Sequence, residues 1–245
     1  MKTHSIELHT LGPAWGLRTF TPFGLKLIAY LELAGIPFVL VEETNPSRGP
    51  SRKVPWIVDA GSAIGDSSRV VDHLVRERGD VVDGWLTDAE RASARASRRM
   101  VEEGLCFVLL YLRWVDDLAY RTAREVLFAS LPSPLRRLVP WLVRRRILRD
   151  LSGQGIGRLE RAAVIDLGCA DLQALADLLG DRPFLFGGKP CSADASVGAM
   201  LAVLLYPPLD NELRDHLLLL PRLEAYTRRV AARHFLVREP GAAPK

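Results

Sequence analysis

Along the first eighty residues the apolar positions follow two periods in turn, and glycine and proline mark where one gives way to the other. Ile6–Leu11 is β-compatible and stops at Gly12-Pro13, which predicts a first strand and then a loop over 14–20. The period then becomes helical, with Gly24, Leu27, Ile28, Leu31 and Ala34 on one stripe. Thr21 is a good N-cap and Pro22 suits the first helical position. Gly35 ends the helix and Pro37 keeps it from resuming. Phe38–Glu42 predicts a second short strand, and Asn45–Lys53 is a basic, turn-rich loop containing Pro46, Gly49 and Pro50. From Lys53 to Leu74 the pattern predicts a strand opening at Val54-Pro55, a tight turn at Ala60-Gly61, a second strand, and a helix with Asp66-Ser67 at its mouth. The order is β-α-β and then β-β-α, and the right-handed crossover rule makes the first two strands parallel.

After about Gly84 the pattern is helical throughout. Thr87–Leu118 reads as one long proline-free helix opening with the capping box Thr87-Asp88-Ala89-Glu90, and Ser130–Pro134 breaks the pattern. Leu135–Leu151 is amphipathic and basic, with Arg136, Arg137, Arg144, Arg145, Arg146 and Arg149 set against Val143, Ile147, Leu148 and Leu151. Pro140 is expected to interrupt it, and the arginines are expected to form a solvated face. Gly153-Gln154-Gly155 is a further break. Helices are expected over Arg158–Leu179, Ser192–Leu205 and Pro221–Arg233, with a loose tail from Glu239.

Composition narrows the function classes. A chain of 245 residues that is 48% apolar can bury a core in one large or two small domains. Its net charge of +4 gives no reason to expect a nucleic-acid partner. The widely spaced Cys106, Cys169 and Cys191 argue against a disulfide framework or zinc site and point to a reducing, cytoplasmic setting. No signal peptide is visible, and the apolar runs fall short of the roughly 20 residues needed to span a bilayer. His4, His9, His73, His216 and His234 show no metal or catalytic spacing.

The candidate chemistry lies in Lys53–Leu74. A proline at a strand's first residue cannot donate to the ladder, so it stands at an edge or beside a ligand. Asp66 and Ser67 are both N-cap types, and the free N–H groups at a helix start attract anions. An extended peptide could pair its backbone with Val54 and set its carboxylate at the helix start. The plainer reading is a hairpin followed by a capped helix.

This stretch resembles the thioredoxin-like half of glutathione transferases. In that family the residue before a cis-proline pairs with the cysteinyl backbone of glutathione, and an acidic residue followed by Ser holds its γ-glutamyl end. The resemblance extends to Pro183-Phe184-Leu185-Phe186-Gly187 with Ser192-Ala193-Asp194, and to Pro221-Arg222-Leu223 with Tyr226 and Arg229. Thr21-Pro22-Phe23-Gly24-Leu25-Lys26-Leu27, Ala34-Gly35-Ile36-Pro37, Gly153–Arg158 and Asp171–Leu175 resemble the metaxin and failed-axon-connections branch. The fold class implied is a thioredoxin-like α/β domain of β-α-β-α-β-β-α type over 1–80, followed by an all-α glutathione transferase C-terminal domain over 85–238.

The resemblance also implies glutathione as co-substrate, held by Val54, Pro55, Asp66 and Ser67. Lys53, beside Arg52, would meet the glycyl carboxylate. Thr21 would be the catalytic hydroxyl that favours the thiolate, though capping alone would also account for it. Trp15 and Phe20 would line a pocket for a small hydrophobic electrophile, or simply pack in the core, and the chain would form a homodimer. The alternative is a non-catalytic, metaxin-like adaptor that uses Arg136–Arg149 as its contact surface. Two departures stand out. Gly24 and Thr21 occupy places where relatives carry cysteine, which argues against disulfide exchange. Cys191 replaces a usual Ser or Thr, so Ser192 is expected to cap the following helix. Trp56 is expected to be partly buried against the helices.

Overall fold

The structure, a computed structural model, describes residues 5–237; His4 and the tail from Glu239 lie outside the described residues. Its N-terminal part holds β1 (Ile6–Thr10), α1 (Pro22–Leu33), β2 (Phe38–Glu42), β3 (Trp56–Asp59), β4 (Ser62–Gly65) and α2 (Ser67–Arg78). A three-residue 3-10 turn, Pro46–Arg48, stands between β2 and β3. The sheet order is β2-β1-β3-β4, with β1 parallel to β2 and antiparallel to β3. Ala60 and Gly61 both take positive φ, 49° and 83°, giving the tight hairpin turn between β3 and β4. Asp59 fastens α2 back onto β3 by accepting from Arg78 at 2.7 and 2.9 Å.

The remainder is helical: α3 (Asp88–Arg99), α4 (Cys106–Trp114), α5 (Asp117–Leu127), α6 (Leu135–Gln154), α7 (Arg161–Leu179), α8 (Ser192–Leu205), α9 (Glu212–Leu218) and α10 (Pro221–His234). A π-helical turn, Met100–Leu105, joins α3 to α4. Every residue of α8 is buried, as its nearly uncharged sequence requires. It lies between α1 and α10, and a Cβ on Gly198 would come within 2.6 Å of Val230, so α10 approaches as closely as it does only because that residue is glycine. Leu17, Leu25 and Ala29 of the N-terminal part join the same core as α8.

Four local expectations need correction. The long helix over Thr87–Leu118 is broken at Val115, because Asp116 caps a new helix by accepting from the Ala119 N–H at 2.9 Å. Pro140 does not interrupt α6. It lies early in the helix, where its missing N–H costs one bond to the Arg136 carbonyl, and its ring is buried. Ser192 does not cap α8. Its N–H and hydroxyl both donate to Asp83, which takes up a buried helix-start donor from a distant segment, the N–H at 2.7 Å. Nor are all the α6 arginines solvated. Arg144 turns inward, donating to the last carbonyls of α4, Trp114 and Val115, at 2.9 Å each, and lies over the Tyr120 ring. Arg136, Arg137, Arg145, Arg146 and Arg149 are exposed as expected, and Leu135, Leu138, Trp141 and Leu142 share the outward face with them, each between 42% and 53% exposed.

At the start of α8, the buried Asp194 carboxylate accepts from the N–H groups of Leu185 (3.0 Å) and Cys191 (2.8 Å) and from the Tyr226 hydroxyl (3.0 Å). Asp194→Ala would leave these buried donors without a partner. Denaturant unfolding is expected to show a loss of about 3 kcal/mol or more.

Candidate functional site

Antiparallel pairing brings the candidate residues to one end of the sheet. Trp56 pairs with Gly65 as the last pair of the ladder, so Val54 and Pro55, just before β3, and Asp66 and Ser67, just after β4, stand at the same end of the sheet. His9 pairs with Trp56, so the loop leaving β1 toward Thr21 emerges at the same end. Val54 lies outside the strand ladder, which starts at Trp56, so its backbone groups are not consumed by the sheet. The Val54–Pro55 bond is cis. Trp56 stacks on His9 with ring centroids 3.6 Å apart and crowds Gly49, so it packs on the sheet and the preceding loop rather than against helices.

At the start of α2, Asp66 adopts φ 71° and turns its carboxylate onto the helix. One oxygen accepts from Ser68 N–H (3.0 Å) and Arg69 N–H (3.2 Å). Those cap bonds leave the Ser67 N–H, the first of the helix, and the second Asp66 oxygen. The Ser67 hydroxyl accepts from the Lys26 ammonium at 3.2 Å, so its own proton remains to be donated.

Lys26 was not among the sequence candidates. Nearly buried on α1, it pairs with Glu102 at 2.7 Å and also donates to Ser68 at 3.3 Å. Burial pushes its pKa down, while Glu102 beside it holds the charge. Glu102 projects from the π-helical turn and also accepts from Ser196 of α8 at 2.7 Å. The available signal was a lysine inside the apolar run Leu25–Leu31. Lys53 is exposed beside Val54.

Thr21 is the N-cap of α1, its oxygen accepting from Gly24 N–H at 2.9 Å. Behind it, the buried hydroxyls of Thr10 and Thr19 bond at 2.9 Å. A Cβ on Gly24 would overlap Thr10 Oγ1 and lie 2.8 Å from Thr19 Cγ2, so the space a cysteine side chain would need is occupied. The protein's three cysteines are free and lie in the helical part, and burial pushes the Cys106 thiol up to about 11. None is a poised nucleophile.

Trp15 and Phe20 pack together with centroids 5.0 Å apart, in a cluster with Ala14 and Ala123. Buried Arg113 of α4 lies over both rings, 5.6 and 4.9 Å from their centroids. Nothing local in the sequence ties Arg113 to Trp15 and Phe20, because their contact crosses from the β1–α1 loop to α4.

The family model described as the glutathione S-transferase N-terminal domain matches residues 22–119, and that of the C-terminal domain matches 168–230. An isoprene-epoxide–glutathione S-transferase from Rhodococcus sp. (strain AD45) is 34% identical over 202 residues, covering 80% of this chain and 85% of that protein. A metaxin-1 homolog from Caenorhabditis briggsae is 32% identical over 212 residues, covering 84% of this chain but 66% of that protein's length. Among solved structures, a glutathione S-transferase from Methylobacterium radiotolerans in complex with glutathione sulfonate has a TM-score of 0.58 at 20% identity, covering 94% of this chain and 92% of its own. Among the described residues no helix is long and apolar enough to cross a membrane.

The occupied space beside Gly24 sets a test. Gly24→Cys is expected to lower stability by about 1–3 kcal/mol through overpacking. Adding Thr10→Ala should recover part of that loss, so a double-mutant cycle by denaturant unfolding should give a clear coupling between the two positions.

Proposed function

The chain belongs to the glutathione S-transferase family, and from that premise we propose that it binds glutathione at the end of its sheet and conjugates it to a small hydrophobic electrophile. The observation that supports the reading is the hairpin's last pair, Trp56 with Gly65, which brings the chain before β3 and the start of α2 to one end of the sheet, where the Ser67 hydroxyl accepts from Lys26. The glutathione cysteinyl backbone pairs with Val54 beside Pro55. The γ-glutamyl carboxylate takes the Ser67 N–H and O–H, and its ammonium meets the second Asp66 oxygen. Lys53 is positioned for the glycyl carboxylate. Lys26, by donating to the Ser67 oxygen, leaves the Ser67 proton directed at an anion.

In the same proposal Thr21 stabilises the thiolate. Capping occupies a lone pair on its oxygen, whereas a thiolate takes its O–H, so one side chain can serve both. A free thiol has a pKa of about 8.5, and a donor together with a nearby helix start lowers it. The thiol gives its proton to water and the thiolate sulfur bonds the electrophilic carbon; a displaced group departs with the bonding pair, whereas an opened ring oxygen keeps that pair, stays in the product and takes a proton from water. Trp15 and Phe20 supply the apolar side of that pocket. The proposal includes a division into domains over 1–80 and 85–238, a homodimer, and a reducing cytoplasmic setting, the last supported by the free cysteines.

A second reading, a non-catalytic adaptor like the metaxins, is favoured by the exposed apolar and basic face of α6, which has no role in the conjugation scheme. Calorimetric titration separates the two. The conjugation reading predicts saturable glutathione binding, weakened about tenfold by Ser67→Ala, the worth of one bond to a charged group. No saturable heat at millimolar glutathione would remove it and leave the adaptor.

For Thr21→Ala, loss of the cap should cost about 1 kcal/mol of stability. If the hydroxyl also holds sulfur, the pKa of the bound thiol, read by ultraviolet titration, should rise by about one unit, and Thr21→Ser should restore both. A stability loss with an unchanged thiol would make Thr21 a cap alone.

A further inference from the structure

The helical part contains a buried charge whose hydrogen-bond donors the fold only partly uses. Arg113, at the end of α4, is 8% exposed, and no carboxylate pairs with it among the described residues. One N–H is accounted for: Nη2 donates to the Val203 carbonyl at 3.1 Å, in the last turn of α8, where a cation is favoured. Its Nε is buried without a partner. Burial lowers its pKa to about 10, which still leaves it charged at neutral pH. A buried, hydrogen-bond-deficient guanidinium is costly, and a structural role at the α8 terminus explains only part of its donor set.

Its surroundings are those of a ligand site. Arg113 lines a cavity of about 160 Å³ together with the apolar Leu109, Leu112 and Leu204. The other charged groups on that wall are already engaged: Asp116 caps α5, Asp210 pairs with Arg214, and Arg161 pairs with Glu212. Arg113 is therefore the cation on that wall without a carboxylate partner among the described residues. The same guanidinium reaches the faces of Trp15 and Phe20, on the loop that leads to Thr21.

We propose that Arg113 anchors the electrophile through a negative group, so that the preferred acceptors are small apolar molecules carrying a carboxylate. This rests on the conjugation reading above for what the ligand is used for, but the binding itself is independent of glutathione. The planar fork of the guanidinium matches a carboxylate, while Leu109, Leu112 and Leu204 take the apolar remainder.

The test uses an isosteric pair of inert probes, phenylacetate and phenylacetamide, followed by tryptophan fluorescence in the full-length protein without glutathione. Phenylacetate is expected to bind saturably and at least about tenfold more tightly than the amide. Arg113→Met should abolish that preference, and Arg113→Lys should keep part of it. Equal affinities in the wild-type protein, no saturable binding of phenylacetate, or a preference that survives Arg113→Met would each overturn the proposal. The wild-type comparison decides even if Arg113→Met does not fold, and a purely structural arginine would not produce a carboxylate preference. A failure here with glutathione binding intact removes the substrate class alone; failure of glutathione binding with the preference intact removes the conjugation reading instead.

Discussion

The buried pair between Lys26 and Glu102 constrains more of this molecule than any other contact. Two charges withdrawn from water are tolerable only if they meet each other and their remaining donors and acceptors are filled. Here Lys26 uses its ammonium on Glu102, Ser67 and Ser68, and Glu102 also takes the Ser196 hydroxyl. One polar knot thus joins α1, the start of α2, the π-helical turn and α8, which belong to both the sheet-bearing and the helical parts. The π-helical turn, which interrupts an otherwise continuous helix from α3 to α4, is the segment that carries Glu102 into this position. Because the knot lies directly behind Ser67, the orientation of the candidate ligand donor is set by the packing of the two parts against each other.

That arrangement also explains the character of the site. It offers hydroxyls, backbone N–H groups and a carboxylate oxygen, all suited to holding an amino-acid-like end, and no nucleophile. Thr10 and Thr19 fill the volume beside Gly24, and the cysteines are remote or buried. The contact of Arg113 with Trp15 and Phe20 joins the loop after β1 to α4, so it too spans the two parts.

What could be read from the chain follows from how local each signal is. The caps and turns of the N-terminal part are legible because each is written within a few residues: Thr21-Pro22, Gly35, Ala60-Gly61 and Asp66-Ser67 all fall where their residue types predict. The capping box at Thr87 and Glu90 is legible for the same reason. The failures involve partners distant in sequence. Asp83 at the start of α8, Arg144 on the carbonyls of α4, and Lys26 with Glu102 are ordinary surface-type residues until folding brings their partners to them. Pro140 leaves α6 unbroken because it stands early in the helix with its ring buried, and the residues beside it in sequence carry neither fact. The candidate ligand residues were found by motif, but the lysine that polarises Ser67 and the arginine over the aromatic rings were not, since nothing in their neighbouring sequence announces either.

The central claim is that the strand edge at Val54 and the helix start at Ser67 form one receptor for glutathione. The most direct measurement is a nuclear magnetic resonance titration of the isotopically labelled protein with glutathione. Backbone amide signals of Val54, Ser67 and Ser68 are predicted to move together along one saturating curve. Signals that stay still there while others move, or no movement anywhere at millimolar ligand, would contradict it.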